Sequence, residues 1–405
     1  MGLSEKMTCV LFLITRVLLL INGVNKMIIS GLKHIVTCGL FLLVCSVGSA
    51  QEMVVGTYVF KKENGVYTGD LYRGKPNGKG KTVYKNGQTY EGLYFKGKRQ
   101  GYGVYTFPDG EKYEGEWFQD HQHGKGTYYF KNNNRYEGMW YRDYQQGLGK
   151  MYYYNGDTYD GRWFEDMRQG YGKYTYANGA YYSGDWKDDK KNGKGKFDWN
   201  DGSYYEGDFL NNMRNGKGTY HYSDGDVYTG DFVNDVMNGQ GVYKFKSGDE
   251  YKGDYVDGER TGSGIFTYSN GDRYVGSFLN GQKNGFGQLI FKKGGKYDGQ
   301  WKNDLFDGKG TYTNAAGDVY DGYWKNGKMD GMGDLRQADG SRYKGSFKNG
   351  VKDGAGVLID KDGNKFKGNF VNGEKHGDFE ERDKNDKLIR KGTYDHGVMV
   401  DEKSR

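Results

Sequence analysis

Three short stretches carry residue types whose spacing could do chemistry. His121-x-His123 is the one histidine pair with metal-like spacing. His123, however, stands just before a recurring glycine, at a place His376 also fills, which makes it a loop residue of a repeated unit. Gly78-Lys-Gly-Lys-Thr82 ends like a phosphate-binding P-loop. That motif needs glycine where Lys75 stands and a helix afterwards, whereas the following residues alternate like a strand. Asp360-Lys-Asp-Gly-Asn364 begins like a calcium loop, but Lys365 replaces the turn glycine and Val371 the bidentate glutamate. With only six histidines, one of them (His34) ahead of the repeats, no nucleophile and base pair off. The sequence assigns no catalytic residue, no cofactor and no metal ligand. It reads as a non-enzyme.

One further stretch has charge to offer. Lys187, Lys190, Lys191, Lys194 and Lys196 fall within a single unit, in what reads as a long loop between strands, where they could meet lipid phosphates. Asp185, Asp188, Asp189 and Asp198 are interleaved with them, which favours a solvated loop.

What positions all of these residues is a repeat. A Tyr-x-Gly unit starts at Tyr67, Tyr90 and Tyr113 and continues every 23 residues to Tyr343, with a Phe-x-Gly variant at Phe366. Glycine recurs at the third, twelfth and fourteenth positions of all 13 tyrosine-initiated copies. In the unit from Tyr113 these are Gly115, Gly124 and Gly126. A glycine near the end of the unit recurs in 12 copies, and the exception is Asn133, the residue type that best tolerates φ > 0 after glycine. That position is a turn.

Composition agrees with an ordered array. Hydrophobic residues make up 35% of the 405, too few for a large aliphatic core, while 39 tyrosines lift the aromatic share to 17%. Disordered chains are poor in aromatics, so rings must supply the buried area here. Of the net charge of +6, half lies in residues 1–50, where Lys6, Arg16, Lys26 and Lys33 face only Glu5. The nearly balanced remainder gives no footprint for nucleic acid. All three cysteines (Cys9, Cys38 and Cys45) precede the array, which therefore uses neither disulfides nor thiolate metal sites.

Ahead of the array, Lys33 and His34 precede an apolar run from Ile35 to Val44, and small residues follow up to Ala50. This fits a secretory signal peptide cleaved after Ala50, with Met27 as an alternative start. A retained membrane anchor is the alternative. Leu42-Leu43-Val44-Cys45 is close to a lipobox, but Val44 is bulky where a small residue is required. The expected destination is the secreted or cell-envelope space. The chain thus divides into a leader (1–50), a half-unit cap (51–66), the array (67–377), and a degenerate unit with a polar cap (378–405).

Within a unit the pattern has period two. Tyr90, Gly92 and Tyr94 alternate with Glu91 and Leu93, and Gly101, Gly103, Tyr105 and Phe107 follow the same rule. Pro108-Asp109-Gly110 marks a hairpin loop. Each unit is therefore two antiparallel strands, and the units meander into one elongated, single-layer, twisted sheet. The expected fold class is all-β. One face gathers the first-position tyrosines with Trp117, Trp140, Trp163 and Trp186, and with Tyr128, Phe130, Tyr174, Tyr176 and Trp199. The glycines leave room there for a neighbouring ring to lie flat over backbone. A single layer cannot cover this face by itself, so these rings form the candidate interaction face. At the eighteenth position the rings give way to Asn314, Gln337 and Asp360, so the apolar groove is expected to fade beyond about residue 300.

The pattern Y-E-G-E-W, with His-Gly-x-Gly following at a fixed distance, resembles the MORN repeat (membrane occupation and recognition nexus) over about residues 56–377. The resemblance implies a groove on the aromatic side of a twisted sheet, frequent dimerisation, and roles in protein scaffolding or acidic-phospholipid binding. The reading that follows is an exported scaffold holding another protein or a second copy of itself. The alternative is a membrane-surface binder of acidic headgroups, for which Lys187, Lys190, Lys191 and Lys194 are the candidate contacts.

Overall fold

The computed structural model describes residues 52–403. The leader, and with it the expected cleavage after Ala50, lies outside the described residues. Thirty-one strands, from β1 (Val54–Phe60) to β31 (Val398–Lys403), form one sheet. Each strand pairs antiparallel with the next in the chain, with no crossover. The all-β, open antiparallel sheet expected from the repeat is the fold found.

The unit from Tyr113 shows how the sequence builds it. Its strands are β6 (Lys112–Phe118) and β7 (His121–Tyr129). They are joined by Gln119 and Asp120, at φ 52° and 74°, the two left-handed residues of a tight hairpin. The connection to β8 (Arg135–Tyr141) is closed by Phe130 N–H donating to the Asn134 carbonyl (2.9 Å). Asn133 takes φ 65° there, as glycine does in the other units. Register is then fixed by side-chain size. Gly115 lies opposite Gly126 on one side and opposite Gly103 on the other, so paired glycines run across the array as a spine. Between Gly115 and Trp117 the register shifts, because β7 bulges at His123 and Gly124 (φ 63°).

The core is a ladder of rings laid on this spine. Tyr113 is fully buried, and its hydroxyl donates to the Glu116 carbonyl (2.9 Å) at the bulge. Trp117 meets Tyr113 edge to face at 5.2 Å and Tyr90 of the preceding unit at 5.3 Å. Trp140 then bridges Tyr113 and Tyr136 in the same way. Such pairs each add roughly 0.5–1.5 kcal/mol beyond area burial. Each ring thus ties two units together, so the array coheres through nearest-neighbour contacts. The ladder runs on to Tyr343, Phe370 and Phe366. At that end Phe379, lying opposite Gly368, stacks on Phe366 in the place of a glycine.

Candidate functional site

The ring-bearing face holds a second row at the sixteenth and eighteenth positions. From Tyr153 it passes without a gap through Tyr174, Tyr176, Phe197, Trp199 and Tyr220. It continues to Tyr268, and its last contact joins Phe291 to Tyr312. Beyond that Leu335 and Leu358 occupy the row while the inner ladder goes on. The apolar surface thus thins towards the C-terminal end, where the eighteenth position turns polar.

The rings expected on the interaction face divide into two sets. Tyr128, Phe130, Tyr174, Tyr176 and Trp199 are half-buried and belong to the outer row. Trp117, Trp140, Trp163 and Trp186 belong instead to the framework. They are only 4–6% exposed, and each indole N–H donates to a spine glycine carbonyl, as Trp140 does to Gly126 (3.2 Å). Trp is too wide to stand on this face and stay free. It is held edge-on between successive tyrosines.

The lysines do not lie in a long loop. Lys187 ends β12 (Tyr181–Lys187), Lys190 starts β13 (Lys190–Asp198), and only Asp188 and Asp189 separate them. The reading fails because two left-handed residues suffice to turn the chain. Lys187 and Lys190 face each other, exposed, across this turn. Lys194 pairs with Asp208 (2.7 Å). Lys191 lies on the opposite face, its Nζ 4.5 Å from the Phe197 ring centroid, and burial there pushes its ammonium below the ordinary lysine range. On the charged face Lys194 lines a furrow of about 1100 Å³ over the glycine spine, with Lys173, Lys196, Lys217 and Lys252.

Lys191 exposes a feature that sequence reasoning missed. The tenth position of the unit, beside the bulge, points onto the ring ladder, and a cation usually stands there. The Arg99 guanidinium is 4.3 Å from the Trp117 centroid, Arg168 is 4.3 Å from Trp186, and Lys283 is 4.8 Å from Trp301. An aspartate from the next turn holds several of these cations. Asp120 accepts from the Arg99 backbone N–H (2.8 Å) and lies 3.5 Å from its Nε, and Asp189 accepts from Arg168 Nε (2.8 Å). Arginine or lysine at a fixed offset before the recurring glycine was the signal. It passed for variable loop charge because the bulge that turns it inward is invisible to a period-two reading.

This row is broken once by polar residues. Gln122 and Gln145 occupy the tenth position in two consecutive units, yet the aspartates of the following turns remain. Asp143 accepts from the Gln122 N–H (2.7 Å) and Asp166 from the Gln145 N–H (2.7 Å). Asp143 also contacts His121 Nδ1 (2.6 Å). Asp166 has no ion pair among the described residues. Where the tenth residue is apolar (Met237, Phe306 and Met329), the next turn carries Gly258, Gly327 and Gly350 in place of aspartate. The gap at Gln122 and Gln145 therefore keeps the anions and loses the cations. In the second of these units Met151 replaces an outer-row ring. The result is a cleft of about 1000 Å³, with Arg99 and Arg168 near its ends, Trp140, Trp163 and Met151 among its lining, and Asp143 and Asp166 along it.

The histidine pair has separate tasks. His121 meets Asp143, while His123 sits between Phe118 and Tyr141, where burial lowers its basicity. In the outer row Tyr128 donates to Glu111 (2.6 Å) and Tyr174 to Asp157 (2.6 Å). Burial opposes the charge of Asp157. Hydrogen bonds from Tyr174, the Ala177 N–H and Asn155 outweigh it and hold the carboxyl below the usual aspartate range.

Glycine-spined hairpins, ring ladders and an open sheet without closure define a β-sheet repeat protein. The chain belongs to the MORN repeat family. The family model matches fourteen consecutive segments, 67–89, 90–112, 113–135, 136–158, 159–181, 182–204, 205–227, 228–250, 251–273, 274–296, 297–319, 320–342, 343–365 and 366–377, and no catalytic family is among the matches. No curated protein matches the sequence. Among solved structures, the TCP domain of Drosophila melanogaster SAS-4, in complex with a proline-rich motif of Ana2, is similar at 16% identity and TM-score 0.20, covering 48% of this chain and 86% of that one. The TCP10 domain of Danio rerio CPAP is similar at 12% identity and TM-score 0.16, covering 72% and 99%. Values this low bear on neither overall path nor function.

Proposed function

We propose that this protein is a non-enzymatic scaffold that holds a segment of another protein in the cleft between Arg99 and Arg168. The observation that carries this reading is the paired loss of cations at Gln122 and Gln145 with retention of Asp143 and Asp166. A partner segment with two basic side chains among apolar ones would supply the missing cations and cover the remaining rings. Peptide display against the full chain tests it. Binders enriched in Lys or Arg together with apolar residues are expected, and the double variant Gln122→Arg/Gln145→Arg should weaken them at least about tenfold, since it fills the cleft with its own cations. Binders indifferent to the double variant would remove the cleft from the function.

The lysine-lined furrow on the opposite face favours a second reading, binding of acidic headgroups. Its lysines are partly neutralised, Lys194 by Asp208 and Lys217 by Asp231 (2.8 Å), which ranks it lower. Salt-sensitive binding to anionic but not neutral vesicles would promote it. Export through the leader belongs to the same proposal, and N-terminal sequencing of the native protein, expected to begin at Gln51, checks it. Self-association is read by sedimentation velocity of the full chain.

A further inference from the structure

The meander places the eleventh position of each unit, on the bulge, beside the turn that ends the next unit's first strand. In the unit from Tyr113 this sets His123 against Tyr141, with Arg142 following in the turn. No group of three His, Cys, Asp or Glu ligands forms there. At the C-terminal end the same place is filled differently. His376 lies in β29 (Glu374–Arg382), just before the left-handed Gly377. Asp395 ends β30 (Leu388–Asp395), and His396 with Gly397 turns the chain into β31.

The three side chains converge. His396 Nδ1 is 2.6 Å from Asp395 Oδ1, and His376 Nδ1 is 3.5 Å from the same oxygen. The two imidazoles lie with centroids 4.8 Å apart, and one ligand atom of each residue falls within 4.8 Å of the other two. Nitrogen and oxygen ligands about 2.0–2.1 Å from a tetrahedral ion stand roughly 3.3 Å from one another. The His396–Asp395 contact has to open by less than an ångström to match, and the His376–Asp395 distance already does. All three side chains are partly exposed, so an ion can reach them and a fourth position remains for water.

We infer that His376, Asp395 and His396 form a binding site for a borderline divalent cation such as Zn²⁺. Two imidazoles and one carboxylate are a ligand set that suits it. The ion would displace the proton shared between His396 and Asp395 and tie the bulge of β29 to the β30–β31 turn. That is where the ring ladder ends, so the site would clamp the last hairpin of the sheet. It is the only group of three or more such ligands among the described residues, and it depends on the sheet to bring His376 across to a turn twenty residues later.

The test is titration of the untagged full chain with Zn²⁺, followed by calorimetry, and with Co²⁺, followed by visible absorption. Wild-type protein is expected to bind one equivalent that His396→Asn and His376→Asn each weaken. Loss of an outer-shell partner alone costs roughly 10–100-fold in affinity, so loss of a ligand should cost at least about tenfold. His121→Asn should leave that equivalent intact. The Co²⁺ spectrum should show d–d bands without thiolate charge transfer, which separates this site from Cys9, Cys38 and Cys45. Thermal melts of the two variants without metal should stay close to wild type, because His396 is exposed and His376 partly so. An isotherm unchanged by both substitutions, absence of binding, or thiolate bands accounting for the bound ion would each overturn the site.

Discussion

The ring of Tyr113 lies across the backbone of Gly126. A Cβ placed on that glycine would fall about 2.5 Å from two ring carbons of Tyr113 and would collide with its hydroxyl. The same relationship joins Tyr136 to Gly149 and Tyr159 to Gly172, so it is the contact on which each unit is built.

Gly126→Ala should therefore be severe. Neither the tyrosine, fully buried between Trp117 and Trp140, nor the strand backbone can give way, and overpacking of this kind costs typically 1–3 kcal/mol. Gly110→Ala, at a turn with φ 96° and no atom near the added methyl, should cost about 1 kcal/mol through backbone strain alone. Because stability in such arrays is set by neighbouring units, hydrogen exchange should show the first loss centred on the strands around Gly126.

Trp140 carries both a packing and a polar contribution. Trp140→Phe keeps the edge-to-face contacts with Tyr113 and Tyr136 but loses the indole donor to the Gly126 carbonyl, at a cost of about 1 kcal/mol. Trp140→Ala should cost roughly 3–5 kcal/mol. The Phe209 and Phe232 units already use the cheaper solution. Urea unfolding of the two variants, followed by fluorescence of the remaining tryptophans, checks the difference.

Replacing Gln145 by Arg should restore the cation that neighbouring units place over their rings. The free protein should gain about 0.5–1 kcal/mol, as expected for a cation resting on an indole near an aspartate. Arg168→Gln should lose a similar amount. A double-mutant cycle of Arg168→Gln with Asp189→Asn, read by thermal melting, isolates the share owed to the 2.8 Å ion pair, expected below about 1 kcal/mol because the aspartate is half exposed.

Alkaline pH should open the array abruptly. Burial, helped by Asp70, pushes Tyr67 up to about 12, and burial with Asp254 does the same to Tyr251. The other ladder tyrosines, Tyr113 among them, are raised by burial in the same direction. A group whose folded pKa exceeds its unfolded value near 10 holds its proton better when folded. Its stabilising contribution is complete below pH 10 and is lost as pH climbs from there through the folded value. Spectrophotometric titration run alongside circular dichroism checks this. The ladder tyrosines should ionise only as circular dichroism reports loss of the sheet.

The residues most legible in the sequence were those whose role is set by their own unit. Tyr113, Gly115 and Gly126 repeat at fixed offsets, with Asn133 standing where the other units place a turn glycine, because a ring, its platform and a left-handed turn are local requirements. Roles that depend on the next unit were harder to read. Lys191 resembled loop charge, because the bulge at the twelfth-position glycine reverses which face the tenth residue meets. Trp163 read as part of the interaction face, because its enclosure needs Tyr136 of the preceding unit as well as its own Tyr159.

Taken by itself, the sequence determined the repeat length, the strand pairs, the turns and the family, since these follow from periodicity and backbone conformation within 23 residues. Which surfaces remain for function was decided only by the tertiary structure. The cleft at Gln122 and Gln145 exists because aspartates of following turns reach back to it, and the His376, Asp395 and His396 cluster exists because the bulge of β29 lies beside the β30–β31 turn. Both are meetings between units. A linear pattern records what each unit contains, but only the register of the sheet fixes which residues of neighbouring units stand side by side.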